Sequence, residues 1–249
     1  MDYPLFLSAL AFVAFWACAH LGAFLRTKLS PLDEDDRRDW SMVVAATLTL
    51  LGLIIGFSFS MAISRYDQRK NLEAEEANAI GTEYLRADLL PSSDAVKVRS
   101  LLKIYVEQRA LYYVTRDEKQ LTHIENETAR LQAQLWAVIP PASAAAPTPP
   151  VALVVSGMND VLNSKDYTIA AWWNRIPLAA WVLMVLIALC CNVLVGYSVH
   201  RSSGGVFVIL PVVVAISFLL IADIDSPRGG LIHVKPHNLV TLSRSLHSN

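Results

Sequence analysis

Four apolar blocks divide the chain: Pro4 to Leu25, Ser41 to Ser64, Ile176 to Val199 and Val206 to Ala222. Each is long enough to cross a bilayer as a helix, which takes about 20 apolar residues and tolerates about 17. In the stretch between the second and third blocks, residues 65–175, apolar positions recur at helical rather than alternating spacing. Val98, Leu101, Leu102, Tyr105, Tyr112 and Tyr113 share one face. Leu121, Ile124, Leu131, Leu135 and Val138 share another, after a break near Asp117. The pattern predicts an all-α membrane protein with four transmembrane helices and a helical cytoplasmic domain inserted between the second and third.

Punctuation refines the elements. No proline occurs between Ser41 and Leu90, so the second span (41–64) is expected to continue as a helix to about residue 90. Such a rod is roughly 75 Å long at about 1.5 Å per residue, with Gly56 and Gly81 as its natural bend points. Pro91-Ser92-Ser93 ends it and offers caps for the next helix. The run PPASAAAPTPP, Pro140 to Pro150, reads as a stiff non-helical linker, and Val151 to Trp173 as a further helix. Trp40, Trp172, Trp173 and Tyr197 stand near block ends, where amphipathic rings anchor at headgroups.

Four spans place both termini and the insert on one side, leaving an acidic loop (26–40) and a tight loop (200–205) on the other. Eight basic residues near the membrane on the insert side, against five opposite, favour a cytoplasmic insert and a cytoplasmic tail (223–249). The first block lacks the basic start of a signal peptide and is expected to stay as a span. Composition agrees: 54% of residues are hydrophobic and 17% charged. The net charge of −1 gives no basic face for nucleic acid. Cys18, Cys190 and Cys191 all lie in apolar blocks and suggest neither a disulfide framework nor a metal site.

Catalytic spacing patterns are absent: there is no HExxH, GxSxG, Walker A or paired CxxC, and the histidines are scattered. An enzyme is not expected, nor a cofactor. The spans hold no chain of carboxylates of the kind proton-coupled transporters use. The second span differs from the others. Thr49, Leu53 and Phe57 form one stripe, and Gly52, Gly56 and Ser60 a neighbouring stripe of small residues. Two readings are open: packing within the subunit, or, around a shared axis, rings of apolar side chains that gate by dewetting. Beyond the span, Arg69 and Glu73 are spaced i, i+4, with Glu75, Asn78 and Thr82 along one side. These read either as a solvated or interhelical polar face or as the lining of a hydrophilic vestibule.

The stretch GFSFSMAISRYDQRKNL, Gly56 to Leu72, resembles the end of the second transmembrane helix of bestrophins. DIDSPRGG, Asp223 to Gly230, resembles the acidic-x-Pro-x-Gly turn after the last bestrophin span, through Asp223, Asp225, Pro227 and Gly229. Together with SRYDQR and EEANAIGTEYLRADLLP, these motifs are most similar to a bacterial bestrophin-like membrane family. The resemblance implies a ring-shaped homopentameric ion channel of the bacterial inner membrane, with inorganic ions and the lipid bilayer as its other partners. It implies that Phe57, Leu53 and Thr49 form the pore neck and that Glu75, Asn78 and Thr82 belong to the vestibule lining. Two departures stand out. No acidic run follows Asp225, so the calcium clasp of animal bestrophins is not expected and no metal is predicted. Thr49 also replaces an apolar neck residue, which implies a wetter outer pore.

The alternative function is a non-conducting membrane scaffold or sensor module whose cytoplasmic helical domain binds a protein partner. It accounts for the same stripes as packing and for the Pro/Ala run as a tether.

Overall fold

The computed structural model describes residues 4–28, 34–145, 148–199 and 205–248. Within them the regular structure is entirely helical: α1 (Pro4–Lys28), α2 (Glu34–Arg86), α3 (Ser92–Val114), α4 (Glu118–Ala145), α5 (Pro149–Trp173), α6 (Leu178–Ser198), α7 (Val206–Asp225) and α8 (His237–Ser248). A 3₁₀ turn, Ala87–Leu89, follows α2. Four helical stretches are long and apolar enough to cross a membrane. The described chain forms two compact units, residues 1–65 with 175–233 and residues 66–174 with 234–249.

In the first unit α1 packs on α6 and α7, and α6 on α7. The α1–α6 contact is set by backbone approach. A Cβ at Gly22 would overlap the Val193 carbonyl, and one at Gly196 would overlap the Ala19 carbonyl. Without a hydrophobic drive between helices in lipid, such small-residue contacts are what hold spans together. Phe15 and Phe218 meet edge to face at 5.6 Å, Trp181 and Phe218 at 6.1 Å, and Met184, Ala188 and Ile221 complete the core. Large apolar side chains such as Phe6, Leu10, Ile209 and Ile216 are exposed, as the outer surface of a membrane bundle requires.

The second unit packs α3 on α4 and α8, and α4 on α5. Its core is the face read from the periodicity: Val98, Leu102, Tyr105, Tyr112 and Tyr113 from α3, with Leu131, Leu135 and Val138 from α4. Tyr112, Tyr113 and Trp172 pack ring against ring, each pair within 6.1 Å. The break near Asp117 is a capped helix start, where the Asp117 carboxylate accepts the Gln120 N–H at 2.8 Å.

Several boundaries differ from the sequence reading. Residues 34–40 of the acidic loop are helical and open α2. Its residues 29–33, and residues 200–204 of the tight loop, lie outside the described residues. Residues 140–145 of the expected linker continue α4 despite Pro140 and Pro141, because the helical register carries Ala142 back onto the face of Val138 and Ile139, all buried. Ala146 and Pro147 of that linker are not among the described residues. Pro149 and Pro150 sit at the start of α5, where the missing N–H groups cost nothing. Pro91 is the residue before α3, with no side-chain cap there. The tail is not a separate segment: α8 belongs to the second unit, with Leu239 and Leu246 buried.

Candidate functional site: the two faces of α2 and the close of α7

α2 is a single helix of 53 residues. At about 100° per residue, Thr49, Leu53 and Phe57 of the first unit share an arc of roughly 80°, and Glu75, Asn78 and Thr82 of the second unit share one of roughly 60°. All six are exposed, Leu53 by 52% and Phe57 by 64%. The Thr49 hydroxyl donates to the Ala45 carbonyl at 2.8 Å, bonding along its own helix. Gly52 and Gly56 have open space where a Cβ would stand, so the small stripe is not used for packing within the chain.

The opposite face is buried. Leu51, Ser58 and Ala62 occupy it in the first unit, and Arg69, Glu73, Glu76, Ile80 and Glu83 in the second, at steps of three, four or seven residues. Arg69 and Glu73 thus part company with Glu75, Asn78 and Thr82, beside which the sequence pattern had set them. Glu73 accepts the Leu239 N–H at 2.9 Å and the Asn238 amide at 2.6 Å, satisfying donors at the start of α8. The Glu76 carboxylate accepts from Arg109 Nε, from Arg109 Nη2 at 3.3 Å, from the Tyr113 hydroxyl at 3.3 Å and from the Thr168 hydroxyl at 3.2 Å. Burial works against the Arg109 charge, but the Glu76 carboxylate outweighs it and holds the guanidinium above its ordinary pKa. Burial and the same carboxylate both raise the Tyr113 phenol. This network is a buried structural tie. Its only sequence signal is the period of Arg69, Glu73, Glu76 and Glu83, masked because the residues are charged.

Asp223 and Asp225 complete the last turn of α7 instead of lying beyond it. Asp223 Oδ1 accepts the Leu231 N–H at 2.9 Å and Oδ2 the Ile232 N–H at 2.8 Å, folding the following segment back on the helix end. Gly230 makes this possible: its φ is 87°, and a Cβ there would overlap the Asp223 carboxylate. Gly229, the position named from the motif, donates its N–H to the Ser226 hydroxyl at 3.1 Å, and Pro227 is buried. Both Asp225 oxygens accept the Ile176 N–H at 3.1 Å, and Arg65 Nη1 lies 3.6 Å from Oδ1. The carboxylates of the turn are aimed at amide hydrogens and a guanidinium. Among the described residues no group of three or more His, Cys, Asp or Glu is arranged to hold a metal.

A family model for the Bestrophin-like domain matches residues 11–239. No curated protein is similar in sequence. Among solved structures, a bacterial bestrophin homologue from Klebsiella pneumoniae superposes with a TM-score of 0.67 at 15% identity, covering 98% of this chain and 97% of that one. A tryptophan-to-alanine mutant of that homologue gives 0.69 at 13% identity, over 100% and 98% of the two chains. A proline-to-alanine mutant described as a membrane protein gives 0.67 at 14% identity, over 100% and 98%. At such identities the likeness is one of fold.

Proposed function

The chain belongs to the bestrophin-like family, and from that premise we propose that it forms an oligomeric passive ion channel, a homopentamer in the bacterial inner membrane with both termini and the insert, residues 65–175, in the cytoplasm. The observation that carries the reading is the exposed face of α2. Leu53 and Phe57 are large, apolar and uncovered in the first unit, and Glu75, Asn78 and Thr82 are exposed polar positions of the same helix in the second. Around a symmetry axis, the first group would supply an apolar neck and the second a polar cytoplasmic vestibule. Ions that enter the neck shed part of their water, and the constriction gates by dewetting. Thr49 forms the outer ring of the neck. The Asp223 and Asp225 turn serves as a structural closure of the last span. In this reading the protein is a conduit for inorganic ions and not an enzyme.

Reconstitution of the purified full-length protein into planar bilayers tests the proposal. Single-channel conductance is expected, and Phe57→Ala, which widens and wets the neck, is expected to raise the current. Silence over a range of monovalent salts and voltages would favour the non-conducting scaffold. Particles in detergent without a symmetry axis lined by α2 would remove the basis of the channel altogether.

A further inference from the structure

The first unit carries a groove that the pore reading does not use. It lies between α1, α6 and α7, encloses about 340 Å³, and is lined by Leu7, Ala11, Trp181, Val185 and Phe218 among other apolar side chains. Its α6 wall runs from Leu178 to Leu186, roughly 12 Å at about 1.5 Å per residue. That is close to half of a hydrocarbon core about 30 Å thick. The α1 residues come from the first half of that helix and the α7 residues from its last turns, so the groove spans one leaflet at one end of the bundle.

At that end it runs into a smaller hollow of about 110 Å³, which shares Leu178, Trp181 and Ala222 and adds Arg175, Asp225 and Ser226. The charges there do not cancel. Asp225 is engaged by Arg65 and by the Ile176 N–H, and Ser226 by the Gly229 N–H. Arg175 is exposed and makes no hydrogen bond or ion pair among the described residues. The result is an apolar slot roughly 12 Å long whose adjoining hollow is lined by the exposed Arg175 and by Asp225, which is paired with Arg65.

We propose that this groove binds an anionic phospholipid from the leaflet on the Arg175 side, one acyl chain filling the slot and the phosphate meeting Arg175. A guanidinium offers a forked set of N–H donors to phosphate oxygens, and the slot excludes headgroups by having almost no polar lining. The site is independent of whether α2 conducts.

The test uses the full-length protein in mild detergent, titrated with dioleoylphosphatidylglycerol or dioleoylphosphatidylcholine, with bound lipid per protomer read by native mass spectrometry. The expected result is one phosphatidylglycerol per protomer, held at least about fivefold more tightly than phosphatidylcholine. Arg175→Gln is expected to weaken phosphatidylglycerol more than phosphatidylcholine and so erase that preference, Arg175→Lys to restore part of it, and Ala11→Phe to weaken both lipids by filling the slot. Equal retention of the two lipids by the wild type, or a preference indifferent to Arg175→Gln, would overturn the proposal. So would cross-linking between protomers through Val182→Cys in native membranes, above the level given by Cys18 and Cys190, because it assigns the groove to packing between copies.

Discussion

Glu83 is fully buried, and among the described residues neither of its carboxylate oxygens accepts a hydrogen bond. It rests against Gly157, where a Cβ would overlap both it and Arg86. Burial pushes its pKa up from the ordinary 4.5 to about 8, against the opposing pull of Arg86 and with a small push from Asp160. The neutral acid is therefore the form the fold prefers. The stabilisation this confers is complete below pH 4.5 and is lost as pH rises through about 8. Glu83→Gln is expected to flatten the pH dependence of thermal unfolding across that window, removing a slope of at most about 1.4 kcal/mol per pH unit, and to exceed the wild type in stability above pH 8. Parallel curves for the two proteins would refute it. Arg109→Ala leaves the Glu76 carboxylate buried without its cation and is expected to cost about 3–5 kcal/mol in denaturant unfolding. Neighbouring glutamates show why such groups escape a sequence reading: Glu75 is exposed and Glu76 fully buried. One step along a helix turns a side chain through about 100°. A hydrophobicity pattern does not register a buried face built from paired charges.

Among the elements, those shaped by apolar periodicity were legible. The face of α3, the α4 face beyond Asp117 and the length of α2 all follow from the spacing of apolar residues and the distribution of prolines. Pro140 and Pro141 misled because local propensity speaks against helix there, by about 3 kcal/mol for a proline in a helix interior, whereas burial of Val138, Ile139 and Ala142 favours continuing it. The helix α8 had a readable signal in Leu239, Leu242 and Leu246 at steps of three and four. Its attachment did not, since Glu73 reaches it from 166 residues away. Glu73→Ala removes the acceptor for the Leu239 N–H and the Asn238 amide. The expected outcome is amide exchange at Leu239 accelerated by about tenfold or more, with α8 cleaved earlier by protease. Unchanged protection at Leu239 would show that apolar packing alone seats the helix.

On the scale of the whole molecule, the four long apolar helices, the helical class and the family resemblance were all readable from hydropathy blocks and short motifs. The grouping of residues 234–249 with the second unit was not, because it depends on contacts between segments far apart in the chain. Nor was the place of close helix approach. The small residues of α2 drew attention, yet Gly52 and Gly56 stand free, and the intimate contact is made by Gly22 and Gly196. Gly22→Ala or Gly196→Ala is expected to force α1 and α6 apart and to destabilise the first unit by about 1–3 kcal/mol or more, seen as a lower melting temperature in detergent. Gly52→Ala is expected to leave the melting temperature of the dissociated protomer unchanged.

The close approach of α1 and α6 at Gly22 and Gly196 also bears on ancestry. Superposed relatives share only 13–15% of their residues with this chain, too little for letter-by-letter matching to hold in register. Two backbones pressed together leave room for hydrogen alone at each position, whatever the rest of the two helices becomes. Divergent members that keep this crossing are expected to carry a residue without a side chain at both places, so the pair offers fixed marks for threading remote sequences onto the fold.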